Sequence, residues 1–578
     1  MANLVAPINL LENIEQKTIE FRGINRKSQV EDGEMQDMLN LASDKYPLLA
    51  PRKLRGTYTM PEDVLRPLHL LTRYNKVAMI TRNRNGSIDF YFDNLKVDEV
   101  NDLTESTTMV AINTKIVFYP QKKYLEVVKD GSDINIGDYE SLEYSFDNSG
   151  GGLSSAVSVT IGQDETVMTF QSPIKFGYDD AININGELIY TAGGSQHSSP
   201  CIVSCTVLDA DDNSITLPGE TFIELVGEGV TSATFTGTIK RTIPDLDFII
   251  EWNNRLWGCS NKDNTIYASK LGDPKNWQYF QGTSLDSFYA QQGTDGEWTG
   301  AAPYSGHLIF FKESSMCKIY GTAPNNYQVV NVECYGIEEG SRLSAVTIND
   351  TVFYKSTIGI MAYDGSIPYC ISEKFNCRFK NVIGGTEGTK YYASIQVEDG
   401  GYELMVLDID RAVWHKEDGT RFRDTCTVNN RLNFITYEDD QQYCQDFLFC
   451  NDYLVIGSED AEGYIGICNP IVASESYDTM PWAAEFGPFD EYIESKKIYS
   501  KLSLRLNVYS GSTVSVYIRM DDGEWELVKE FSPAVTSGEV IPIVPRRCDR
   551  YSIKIEGVGF TELKSLTRRV RQGTFGKL

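Results

Sequence analysis

Four oxygen-bearing residues in DADDNSITLPGE, residues 209–220, are spaced as calcium ligands: Asp209, Asp211, Asn213 and Glu220 take the first, third, fifth and twelfth places of an EF-hand loop. Against this, Ser214 replaces the glycine that the sharp turn needs, Pro218 interrupts the loop, and strands flank it. These departures favour an acidic hairpin tip, with calcium the lesser reading. A second group, Asp408, Asp410 and Trp414 in VLDIDRAVW with Asp364 in MAYDG, has the residue types that a glycosidase sets across a sugar. The same aspartates suit loop caps, and the tryptophan suits packing between sheets. TDGEW at 294–298 and DDGEW at 521–525 are similar to Asp-box turns without their spacing.

Other catalytic signals are missing from the sequence. His69, His197, His307 and His415 are far apart, and no HExxH, GxSxG or Walker pattern occurs. NSGGGLSS has no following Lys-Thr and reads as a loop. None of the twelve cysteines has the two-residue gap of a zinc knuckle; Cys201/Cys205, Cys370/Cys377 and Cys444/Cys450 are the nearest pairs. Free thiols packed as small hydrophobes in a reducing compartment are expected. The expectation is therefore a chain that is not an enzyme and takes no cofactor, with the 209–220 loop its one metal candidate.

The elements that carry these residues repeat. NTKIVFYP (113–120), NNRLWGCS (253–260), SGHLIFFK (305–312), NDTVFYKS (349–356), NNRLNFIT (429–436) and NDYLVIGS (451–458) share one plan, and YNKVAMIT (74–81) and GTKYYASI (from 388) are looser copies. A small polar pair suits the positive-φ sites of a tight turn, and the β-branched or aromatic run suits a strand buried on both faces. Spacings of 40–50 residues indicate blades of a β-propeller, which bury their faces only in a closed ring. The fold class expected is all-β: a propeller of six or seven blades, with an inserted β-domain and a C-terminal β-sandwich.

Boundaries follow from the same pattern. Residues 1–60 form an extended N-terminal docking arm, 61–132 the first part of the propeller, and 133–244 a β-domain inserted into a blade. Residues 245–480 continue the propeller. The last part, 481–578, alternates at period two as a sandwich does and ends in a basic tail, LTRRVRQGTFGKL. One helix is expected, over 59–75, with part of 30–43 a lesser candidate.

Charge narrows the partners. Fifty-three basic against 81 acidic residues give −28, which disfavours binding to nucleic acid or acidic membranes. MANLVAPINLLENIEQ lacks a basic start followed by a long apolar core, so no secretory signal is expected, and no apolar run is long enough for a membrane-spanning helix.

RLWGCSNKDNTIYASKLGDPKNW resembles a hairpin of tail proteins from tailed bacteriophages, in which an Arg-Leu-Trp strand leads to Ser-x-Leu-x-Asp-Pro-x-x-Trp. The matching positions are Arg255, Leu256, Trp257, Ser269, Leu271, Asp273, Pro274 and Trp277. FRGINRK at 21–27 and the segment 32–56, with its Arg-Gly exit, add to the likeness, which covers most of 20–470. It implies a nozzle or hub protein of the virion, made in the host cytoplasm. Several copies, usually six, would form a ring below portal and adaptor through which the genome leaves unbound. Phe21, Arg22, Gly23 and Arg52, with Arg568, Arg569 and Arg571 of the basic tail, are the assembly candidates. An acidic wall suits sliding DNA, so carboxylates are expected on the lumen-facing blades. The alternatives are a receptor-binding tail protein that holds host glycans and a propeller glycoside hydrolase.

Overall fold

The computed structural model describes residues 13–572 apart from 53–55, 58–60, 128–133, 139, 148–154, 418–420, 429–430, 437–467, 470–480, 492–495 and 532–537. The copy at 451–458 lies outside the described residues. The chain divides into two compact units, one of residues 1–87, 92–95 and 337–578, the other of 88–91 and 96–336.

Each described copy of the repeated phrase is the first hairpin of a four-stranded antiparallel sheet. Six such sheets use four consecutive strands each: 64–96 (through which the unit division passes), 108–138, 248–291, 300–333, 346–370 and 379–417. A seventh takes Phe422–Val428, Arg431–Thr436 and Cys468–Asn469, and its fourth strand is Gly56–Thr57 from the other end of the chain. The turn pairs adopt positive φ as their chemistry requires, at Tyr74 and Asn75 and at Asn253 and Asn254, for example. Second strands such as Arg255–Ser260 and His307–Phe311 are buried along their whole length.

The sheets stack by their first strands. In the first unit 346–348 lies beside 379–386, 379–386 beside 422–428, and 422–428 beside 64–73. In the second, 108–112 lies beside 248–252, and 248–252 beside 300–304.

The 59–75 helix is not formed. Val64–Arg73 is a strand paired with Lys76–Asn83, bulged on either side of Pro67. Proline removes a ladder donor and disfavours a helix interior, and sheet pairing overrides local propensity. In the 30–43 segment, Met35–Leu39 is likewise a strand. Among the described residues the α-helix is Gly219–Val226, inside the inserted domain.

The insertion falls between sheets and not within one. Ile134–Asp138 pairs with Lys123–Val127 and so completes the preceding sheet, and the inserted strands begin at Leu142 and end at Arg241. They form one eight-stranded sheet around its own core, including Phe146, Ile182, Phe222 and Phe235.

The C-terminal strands form two sheets, and the N-terminus is built into both. Asn13–Thr18 pairs with Thr561–Gln572, and Met35–Leu39 pairs with Pro481–Phe489. Inward residues of the two sheets, such as Leu504, Val570, Phe486 and Ile553, share one cluster of buried side chains. The segment expected as a free docking arm is thus, over 13–51, bonded to its own chain.

Candidate functional site

The hairpin that carries the resemblance is organised by one buried cation. Arg255 is 1% exposed, and its guanidinium donates to the carbonyls of Ser269 (2.8 Å), Ser284 (2.6 Å) and Asp286 (2.5 Å). Burial lowers its pKa. The cation ties the strand Arg255–Ser260 to the loop that follows the hairpin. Around it, the Leu256 N–H donates to Ser269 Oγ, the Trp257 indole to the Trp252 carbonyl, and the Trp277 indole to the Pro274 carbonyl. Asp273 accepts from the Lys275 N–H and from Asn276 Nδ2, and burial raises its pKa. Leu271 lies at the surface.

The Asp-Pro-x-x-Trp ending seats the inserted domain, which belongs to the same unit. Asn276 donates to the Asp179 carbonyl (2.8 Å) and accepts from the Ala181 N–H (2.7 Å). Lys270 pairs with Asp179 (2.8 Å), and Asp180 takes both Arg241 (2.5 Å) and Lys275 (3.5 Å). Asn276, Lys270 and Lys275 were not among the sequence candidates. Their signal was a polar residue in a segment already read as a turn, with nothing local to mark its partner.

The calcium candidates do not form a loop. Asp209–Asp211 and Ser214–Pro218 are the strands of a hairpin. Asp211 accepts from the N–H groups of Asn213 and Ser214 and from the Ser214 hydroxyl, bonds that hold its carboxyl below the usual range. Asn213 Nδ2 donates to the Phe170 carbonyl, and Glu220 lies in the first turn of the helix. No group of three or more His, Cys, Asp or Glu among the described residues is placed to hold a metal. The segment is an acidic hairpin, and the EF-hand loop of the lesser calcium reading is not formed.

Of the carboxylates weighed as glycosidase residues, Asp408 is engaged within the chain, while Asp364 and Asp410 are exposed. Asp408 is buried and accepts from Ser43 Oγ (2.5 Å) and Arg411 (2.7 Å), a pairing that leaves its pKa lowered. Asp364 accepts from the Ser366 N–H in an exposed turn, Asp410 is exposed, and the Trp414 indole donates to the Ile371 carbonyl. Cys201 and Cys205 are free and buried, and burial pushes both thiols up to about 12.

The assembly candidates are largely engaged within the chain. The Phe21 ring packs 5.8 Å from Phe486, and Gly23 sits at φ +78 where a Cβ would strike the Trp414 carbonyl. Arg52 donates to Asn40 (3.0 Å) and lies 3.4 Å from Glu417, both side chains of that ion pair buried. Arg568, 3% exposed, bonds Glu491 (3.0 Å), Asp32 (2.9 Å) and Thr18 (3.0 Å) over the Phe489 ring. Phe21, Gly23, Arg52 and Arg568 are thus buried within their own chain. Arg22 pairs with Glu20 and Glu31 while half exposed, Arg569 pairs with Glu15, and Arg571 is exposed.

Cavities among the described residues of the first unit include two bordered by charged side chains. One, of about 730 Å³, is lined by Glu338, Lys355, Arg378, Phe379 and Glu398; Lys355 is buried and pairs with Glu338 at 2.7 Å. The other, of about 480 Å³, borders Arg568 and Glu491. The first strands of the seven sheets carry Glu251 and Asp424 against Arg66, Arg73, Lys380 and Arg423.

No protein-family model and no curated protein matches the sequence. Solved structures similar to it include an exo-β-1,3-galactanase from Phanerochaete chrysosporium with galactose (10% identity, 54% of this chain and 92% of that one, TM-score 0.21). Others are a putative 6-phosphogluconolactonase from Bacteroides fragilis (12%, 68% and 88%, 0.21) and PorZ, a surface component of the type-IX secretion system of Porphyromonas gingivalis (11%, 88% and 82%, 0.21). Glycoside hydrolases among these structures overturn the expectation that the chain is not an enzyme, and it is withdrawn. A likeness at these scores assigns the chain no reaction.

Proposed function

We propose that this chain is a structural component of a bacteriophage tail, a hub or nozzle protein whose copies join in a ring around the path of the ejected genome. The observation that carries the reading is the hairpin at 251–277. Arg255, Trp257, Asp273 and Trp277, which bear the resemblance, act as scaffold: they clamp a loop and seat an inserted domain. Residues used this way maintain a shape, which is what a tube segment requires of its motif.

The finer fold belongs to the same proposal. Under it, the four-stranded sheets, which stack by their first strands as a group of four and a group of three, are read as the blades of a seven-bladed propeller. Gly56–Thr57 completes the last blade and latches the two ends of the ring. The two C-terminal sheets, with their shared core, are a β-sandwich. In the virion the ring would meet portal and adaptor above and let DNA pass without specific contacts. The protein would be made in the host cytoplasm.

Negative-stain images of the purified full chain, with its mass in solution, test the proposal. Closed rings of about six copies are expected. A monomer at every protein concentration and salt tried would overturn it.

A further inference from the structure

The outer face of the C-terminal sheet that contains Asn13–Thr18 is basic, on a chain that is otherwise strongly acidic. Register places Glu15, Arg569, Lys501 and Pro542 in one row across four strands, and Lys17, Thr567, Ser503 and Val540 in the next. Directly opposed residues share a face, and alternate residues point away from it. Leu502, Leu504, Ile541 and Ile543 face the core, so Lys501, Arg505, Val540, Pro542 and Val544 face out. Lys564 and Arg571 are exposed at the ends of the same strand.

Six cations (Lys17, Lys501, Arg505, Lys564, Arg569, Arg571) stand here against Glu15 and Glu562. That is a net of about +4 on a chain of −28, which leaves roughly −32 elsewhere. Glu15 is engaged by Arg569, whereas Lys501 and Arg505 have no carboxylate within ion-pair distance among the described residues. Beside the cations, Val540 is 59% and Val544 71% exposed. A strip of exposed aliphatic side chains bordered by charge has the composition of an interface core and rim.

We infer that this face docks onto an acidic surface of a second copy of this chain. Charge complementarity favours that occupant, since the rest of the molecule supplies the opposite sign and a basic patch meeting an acidic one elsewhere on an identical chain makes a head-to-tail contact. Contacts of that kind close into rings when the rotation between successive copies divides a full turn. Nucleic acid is the less suitable partner: the exposed side chains beside the cations are aliphatic, with no aromatic platform for bases, and the whole-chain charge repels phosphates. The inference rests on the ring reading and names the surface that builds it.

Full-length protein and its K501E/R505E variant are compared by sedimentation velocity across a salt series, with far-UV circular dichroism as the folding control. The wild type should assemble, less well as salt rises, and the variant should need at least about tenfold more protein to do so. Val544→Asp, which leaves the cations in place, should weaken assembly in the same direction and serves if the double variant misfolds. Wild-type protein that never assembles sinks the ring reading itself. Assembly that both variants leave intact keeps the ring and overturns this face as its contact. Anisotropy of a labelled DNA duplex at low salt is the second arm. Binding that K501E/R505E abolishes while assembly persists would assign the face to nucleic acid and overturn the protein partner.

Discussion

At the scale of the residue, buried charge in this protein is used to hold chain segments together. Arg255 has carbonyl partners and no carboxylate in hydrogen-bonding distance, so its removal leaves several buried acceptors without a donor. Arg255→Leu should cost about 3 kcal/mol, since unsatisfied buried groups cost about 1–3 kcal/mol each and neighbours relax in part. Chemical denaturation of the full chain measures it, and a loss under about 0.5 kcal/mol would contradict the clamp. Asp408 makes a pH prediction. Burial opposes its charge, but Ser43 and Arg411 outweigh it and lower the folded pKa. A carboxyl depressed on folding contributes stability that is present above its unfolded pKa and is lost as pH falls through the folded value. Asp408→Asn should therefore be less stable than wild type near neutrality, with the difference shrinking in acid. Melting temperatures from neutral pH into acid would show parallel curves if the group were unlinked to folding.

At the scale of the element, the hairpin between first and second strands is the unit of construction. Its turn asks for two left-handed residues, which asparagine tolerates and β-branched residues do not. Replacing Asn253 and Asn254 together by valine should cost about 1–2 kcal/mol per position. Because Arg255 follows directly, the mispositioned strand should also loosen the seat of the inserted domain. Limited proteolysis should then release a fragment near 142–241, while the same substitutions at an exposed strand site should not. A cleavage pattern identical to wild type would separate the turn from the seat. The 59–75 segment shows the opposite case: Pro67 and the pairing of Val64–Arg73 with Lys76–Asn83 made a bulged strand where spacing suggested a helix.

At the scale of the whole molecule, the N-terminus serves to complete sheets near the C-terminus. Asn13–Thr18 and Met35–Leu39 each pair as an edge strand of a different C-terminal sheet. Arg568 fastens the first of these strands through Thr18 and the connection between the two through Asp32. Deletion of residues 1–40 should uncover both sheet edges and the buried Phe486 and Phe489, and the product should aggregate or melt well below the full chain. A truncated protein with an unchanged melting temperature would show that 13–39 is an accessory arm after all.

What the sequence determined by itself was local and periodic. The polar pair and apolar run of NNRLWGCS and its copies specify a tight turn and a doubly buried strand, because backbone sterics and the alternation of side chains act over a few residues. The strands of the inserted segment share none of the repeated phrase, which sets them apart in the sequence. What only the tertiary structure decided was pairing at long range. Nothing near Arg568 says that it will be covered by Asp32 and Glu491, nothing near Asn276 points to Asp179, and nothing in Gly56–Thr57 names Cys468–Asn469 as its neighbour. Hydrogen bonds and ion pairs reach about 3 Å in space regardless of sequence separation, so the partner of a polar residue becomes legible only once the sheets have brought distant segments together.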